Sequence, residues 1–184
     1  MTVDFSGQTI IVTGGGRGIG RGITQAFASA GANLIICGRH DPEPFDVSIA
    51  EQIHFLSIDI RQAEAAQELI DFAIDKTGRL DCLINNAGGG PPVKSEDASP
   101  RLTEAVIRLN LLAPIWLSQA AYHAMIKTGA HGSIINISSV SATRSSPGSV
   151  AYGSAKAGLL NVTTSLAMEW APDVRVNAII VGLV

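Results

Sequence analysis

Short apolar runs such as Ile10-Ile11-Val12 and Leu34-Ile35-Ile36 recur along the chain, separated by longer stretches in which apolar residues return every three or four positions. Continuous runs alternating with helical periodicity are the signature of βαβ units, with helices covering a parallel sheet. Six strands are predicted, over residues 9–13, 33–38, 53–58, 82–85, 133–137 and 175–180. Their near-continuous Val, Ile and Leu content implies burial on both faces. Helices are predicted over 18–30, 63–77, 103–128 and 151–170, with a kink in the third at Pro114. Residues 41–46 contain Pro42 and Pro44, so the crossover after the second strand should be shortened or irregular. A Gly-, Pro- and Ser-rich loop over 88–100 follows the fourth strand, at the end of an α/β sheet where ligands bind. The fold class is therefore α/β, a doubly wound parallel sheet in one domain.

Composition narrows the classes of partner. A chain of 184 residues with 46% hydrophobic content can bury one substantial core. Thirteen basic against sixteen acidic residues leave a net charge of -3, and no Lys/Arg cluster offers a footprint for nucleic acid or anionic lipid. With no long apolar run and no basic-then-apolar N-terminus, neither a membrane span nor a signal peptide is predicted, and the expected location is the cytoplasm. Cys37 and Cys82 lie in separate strand segments, as buried thiols in a reducing compartment do. The four His are scattered, and no metal-ligand spacing is present.

The chemistry concentrates in two places. Gly14, Gly18 and Gly20 follow a predicted strand and enter a predicted helix, where backbone can approach a pyrophosphate and free N–H groups favour anions. Gly15 and Gly16 serve turn packing or binding equally well. Tyr152 and Lys156 stand four residues apart on a predicted helix and share a face, so the phenol and the ammonium can converge on one cavity. A fixed cation stabilises a phenolate and makes tyrosine usable in proton transfer. Ser138 and Ser139 end the fifth strand, and Asn110 falls mid-helix, where Asn has poor propensity.

Three motifs in this order, Thr-Gly-x-x-x-Gly-x-Gly at 13–20, Asn85-Asn86-Ala87-Gly88, and Tyr-x-x-x-Lys at 152–156, resemble the short-chain dehydrogenase/reductase family. The resemblance covers nearly the whole chain and its single-domain division. It implies hydride transfer between a nicotinamide cofactor and a small carbonyl or alcohol. Tyr152 would be the acid-base residue and Ser139, thirteen residues before it, would orient the substrate oxygen. Lys156 would tune Tyr152 and bond the nicotinamide ribose, and Asn110 would hold a water leading to solvent. Gly14, Gly18, Ile19 and Gly20 would carry the phosphates, Asp59 and Ile60 the adenine, and Asn85, Ala87 and Gly88 the middle of the cofactor. Asn86 belongs to the same cofactor-side motif, with a mainly structural part. Arg17 and Arg39, with no acid at the end of the second strand, resemble the NADP-binding arrangement. NADP(H) is thus favoured, with NAD(H) possible.

Two features stand apart from that pattern. Val181 occupies the position where family members commonly carry proline, near the nicotinamide. The strand over 175–180 reads as buried with nothing after it, so a longer native chain, with a substrate-covering segment and a further strand, is expected. The alternative to an enzyme is a non-catalytic dinucleotide-binding sensor or scaffold of the same fold. The long third and fourth helices are rich in Ala, Leu and Ile, and by resemblance a homodimer or homotetramer is expected.

Overall fold

The computed structural model describes residues 3–182. Among these, strands run over Thr9–Thr13 (β1), Asn33–Gly38 (β2), Ile53–Ser57 (β3), Cys82–Asn85 (β4), Ser133–Ser139 (β5) and Arg175–Val181 (β6). All pair in parallel in the order β3-β2-β1-β4-β5-β6. The order reverses between β1 and β4, and at such a switch point the loops leave in opposite directions and open a crevice. The predicted doubly wound sheet is therefore present.

Alternation along the strands divides the core in two. Ile11, Ile35, Leu83 and Ile134 face one layer, where they meet Leu69 and Ile70 of the helix Glu64–Thr77 (α3) and Leu117 and Met125 of the helix Ala113–Lys127 (α5). Ile10, Val12, Leu34 and Ile36 face the other, packed against Ala28 of the helix Gly18–Ser29 (α1). The helix Val150–Trp170 (α6) joins the first layer through Leu166 and Trp170, whose ring stacks on Tyr122 at 4.6 Å.

Burial on both faces holds for β1, β2 and β4 but not for the edges. β3 is half-buried, and β6 leaves Ile179 and Ile180 about half exposed, at 52% and 48%. An edge strand has a neighbour on one side only, so apolar composition alone does not bury it. The crossover over 41–46 is irregular, as its prolines imply, and is followed by one helical turn, Val47–Ala50 (α2), capped by the Asp46 carboxylate accepting from the Ser48 N–H.

The predicted third helix is not continuous. It begins as Pro100–Ile107 (α4), with the Ser99 hydroxyl accepting from the Leu102 N–H, and passes through a π turn over Arg108–Leu112 before α5. Pro114 has no N–H for the Asn110 carbonyl, which removes one α-type bond here. Beside it, the Asn110 side chain donates to the Val106 carbonyl at 2.8 Å, the acceptor that its own main-chain N–H has in an α turn.

Candidate active site

The C-terminal ends of the central strands are tied together before any ligand enters. Thr13 Oγ1 accepts from the N–H groups of Asn86 and Ala87, at 3.0 and 2.9 Å, while Asn86 Nδ2 donates to the Thr13 carbonyl at 2.8 Å. This latch holds β1 beside β4 at the switch point and gives Asn86 its structural part. Asn85 turns inward instead: it is buried, and its Nδ2 donates to Asn136 Oδ1 at 2.9 Å and to Ser118 at 3.2 Å. The expectation that Asn85 meets the cofactor is therefore corrected, because side chains alternate along β4 and its own points into the core.

A cleft of about 1020 Å³ opens above the latch. Gly14, Arg17, Gly18, Ile19 and Gly20 line one wall; Arg39, Asp59 and Ile60 line the far end. Asn86, Ala87 and Gly88 form its floor, and Ser139, Tyr152 and Lys156 its near end. The glycine loop fits a dinucleotide phosphate. Gly14 and Gly18 have φ of +66° and +52°, and a Cβ on Gly20 would stand 2.3 Å from the Gly14 carbonyl. Arg17, the residue before α1, makes no side-chain cap, so the first N–H groups of that helix remain available to an anion. Gly15 is a packing residue, since a Cβ there would lie 2.5 Å from Ile36 Cγ2, whereas Gly16 abuts Pro42 of the crossover and reaches the cleft.

Lys156 is 2% exposed, and its Nζ donates to the Ile137 carbonyl at 2.8 Å. Burial disfavours the ammonium and brings its pKa down to about 8. Its Nζ lies 5.8 Å from the centre of the Tyr152 ring, one turn earlier on α6. Ser139 Oγ accepts from the Ser141 N–H at 3.2 Å, which leaves its own hydrogen for an oxygen in the cleft. Ser138, by contrast, is spent on the fold: its hydroxyl donates to the Lys156 carbonyl at 3.3 Å.

Asn110 lies behind the wall rather than on it, fully buried. Its Nδ2 donates to the carbonyls of Gly89 and Val106, at 2.9 and 2.8 Å, and its Oδ1 accepts from the Gly89 N–H at 2.9 Å. The side chain thus clamps the loop after β4. Both donor hydrogens are spent, which makes it a positioning residue in this structure.

Three contributors were missed by sequence reasoning. Arg61 holds Asp59 with its guanidinium, Nε to Oδ1 at 2.9 Å, and lines the cleft. Arg21 donates to the carbonyls of Glu43 and Pro44 at 2.8 and 2.7 Å and lies over the Phe45 ring at 4.2 Å, fixing the crossover beside the cofactor cleft. Thr13 supplies the latch. Only Arg61 left a signal, its position two residues beyond Asp59. Val181, in the family's proline position, continues β6 in register with Ser139 and lines the cleft. A smaller recess of about 230 Å³ adjoins Tyr152, walled by Val93, Leu102, Ile107 and Val150 with the hydroxyls of Thr103 and Ser154. Among the described residues no charged side chain lines it.

A glycine-rich strand-to-helix turn at the switch point of a parallel sheet defines a dinucleotide-binding Rossmann-like protein. Comparison with known proteins narrows the class: residues 8–184 match the short chain dehydrogenase family, and this chain belongs to the short-chain dehydrogenase/reductase family of oxidoreductases. It is 34% identical to L-fucose dehydrogenase of Bos taurus, covering 99% of this chain and 68% of that protein. A crystal structure of a short chain dehydrogenase from Bacillus anthracis superposes with a TM-score of 0.86 at 35% identity, over 94% of this chain and 74% of the other. ElxO in a tyrosine-to-phenylalanine form with NADPH bound gives a TM-score of 0.87 at 28% identity, over 96% and 73% of the two chains.

Gly88 shows how closely the near end is built. A Cβ there would lie 2.7 Å from Asn110 Oδ1 and 3.1 Å from Lys156 Nζ, while the residue's φ lies outside the left-handed region. Its requirement for glycine is thus spatial. Gly88→Ala should destabilise the protein by about 1–3 kcal/mol through overpacking. Chemical denaturation followed by tryptophan fluorescence checks this, and an unchanged midpoint would show that Asn110 and Lys156 are not held where described.

Proposed function

We propose that this protein is an NADP(H)-dependent oxidoreductase that interconverts a carbonyl and a secondary alcohol, with Tyr152 as the acid-base residue. The observation that carries the reading is the meeting of Ser139, Tyr152 and Lys156 with the glycine loop in one cleft. A sensor would need the loop and the ribose-binding Lys156 but neither the Ser139 hydroxyl nor the Tyr152 phenol aimed into the cleft, so the enzyme is the better reading. Val181 does not favour the sensor either, since it leaves β6 and the cleft wall continuous.

Each residue has a part that follows from its surroundings. The α1 N-terminus and the glycine loop would hold the pyrophosphate, and the end of the cleft lined by Asp59 and Ile60 would take the adenine. Arg17 and Arg39, exposed at the cleft rim, would take a 2′-phosphate with charge-assisted bonds. When bound, the dinucleotide supplies or accepts the hydride. Ser139 donates its hydroxyl hydrogen to the substrate oxygen, and Tyr152 gives up or takes a proton at its phenolic oxygen. Lys156 places a positive charge beside that phenol, fixed by the Ile137 carbonyl rather than by a mobile counterion. The NADPH of the ElxO structure is in keeping with the cofactor preference. The uncharged recess beside Tyr152 suits an uncharged part of the substrate.

A homodimer or homotetramer built through α5 and α6 belongs to the same reading. Ile126 on α5 and Met168 on α6 are exposed at 45% and 85%. Light scattering at micromolar concentration should give at least twice the monomer mass, and a monomer mass would contradict it.

The cofactor and the acid-base assignment are tested together by calorimetry and a screen of ketones and alcohols. NADPH should bind at least tenfold more tightly than NADH, because a charge-assisted hydrogen bond contributes about 1.5–3 kcal/mol and about 1.4 kcal/mol is tenfold. Tyr152→Phe should keep that binding and lose turnover. Equal or tighter NADH binding overturns the preference; substantial turnover by Tyr152→Phe overturns the acid-base role.

A further inference from the structure

Asp59 and Arg39 leave neighbouring strand ends. Gly38 pairs with Ser57 across β2 and β3, and the Ile58 N–H donates to the Gly38 carbonyl at 2.9 Å, so the two side chains emerge side by side into the cleft. A carboxylate next to Arg39 is awkward for a site that takes a 2′-phosphate. It can pair with that guanidinium itself, and its charge repels the phosphate. In this structure Arg39 makes no hydrogen bond or ion pair among the described residues, and another arginine holds Asp59. Arg61 Nε donates to Oδ1 and Oδ2 at 2.9 and 3.1 Å, one terminal nitrogen donates to Oδ2 at 2.5 Å, and the Arg61 N–H donates to Oδ1 at 3.1 Å. The hydrogen bonds from Arg61 hold the Asp59 carboxyl below its usual range, against partial burial, and the charge of Arg39 adds to the same effect.

We propose that Arg61 is a specificity-determining residue: by occupying and neutralising Asp59 it leaves Arg39 available to a 2′-phosphate. Arg61 makes two bonds to Oδ1, one of them from its main-chain N–H, and two to Oδ2, leaving little acceptor capacity for a second guanidinium. The inference rests on the cofactor reading above and deepens it. Arg61 works through Asp59, so it is a positioning residue for the cofactor's phosphate, with no part in the transfer step.

Calorimetric titration with NADPH and NADH tests it in four proteins: the unmodified chain, Arg61→Met, Arg61→Lys, and Arg61→Met with Asp59→Asn. The Arg61 and Asp59 side chains are about a third exposed, at 33% and 30%, so these changes spare the core. In Arg61→Met the ratio of NADPH to NADH affinity should fall about tenfold, the worth of one charge-assisted hydrogen bond. Adding Asp59→Asn removes the competing carboxylate and should bring the ratio back within about twofold of the starting value. Arg61→Lys keeps a cation beside Asp59 and should retain most of the ratio. An unchanged ratio in Arg61→Met overturns the proposal, as does a ratio that stays low in the double variant. A starting ratio near one would instead overturn the cofactor preference, while the change on Arg61→Met would still decide the role of Arg61.

Discussion

The bond between the Lys156 ammonium and the Ile137 carbonyl is the constraint on which the near end of the cleft depends. A buried cation is costly unless it finds a fixed partner, and here the partner is main chain at the end of a central strand. The stitch runs both ways, because Ser138 on the same strand donates to the Lys156 carbonyl. α6 is thereby pinned to β5 at both ends of one residue. Tyr152, one turn earlier, and Ser139, two residues beyond Ile137, inherit their places from that pin. Cation, phenol and hydroxyl are held by the fold before a substrate enters, which is the condition for electrostatic help without reorganisation.

The same economy appears at the other end. Thr13 and Asn86 lock β1 to β4, Arg21 fastens the crossover, and Arg61 takes charge of Asp59. Each uses a polar side chain to fix backbone or to settle a charge, so that glycine loop, arginine rim and floor share one cleft. The two ends of the cleft are joined through the sheet: β5 carries Ser139 and the carbonyl that holds Lys156, and it is paired to β4, whose following loop makes the floor.

Much of this was legible in the sequence, for physical reasons that also explain the misses. β1, β2 and β4 were read to the residue because strands buried on both faces are continuously apolar. β5 runs two residues past its predicted end, through Ser138 and Ser139, and β6 one residue, through Val181. Main-chain pairing continues there whatever the side chain. The break in the third helix was foreseen at Pro114, but not its form as a π turn, within which the Asn110 amide reaches the Val106 and Gly89 carbonyls, contacts that no local pattern encodes. Asn85 was misplaced because a motif gives residue types and order but not the strand alternation that turns one asparagine inward and leaves the next at the floor. Arg61 was passed over because a lone arginine after a strand is usually solvated, and only pairing with Asp59 gives it a part.

The Lys156 charge is held out of water by the fold itself. An NMR titration of the Lys156 side-chain Cε signal in cofactor-free protein tests this most directly. The midpoint should be displaced from the ordinary value of 10.5 to about 8, because burial disfavours the ammonium. A midpoint at the ordinary value would contradict it, since it would mean that the ammonium sits in water and that the pin between α6 and β5 is not made.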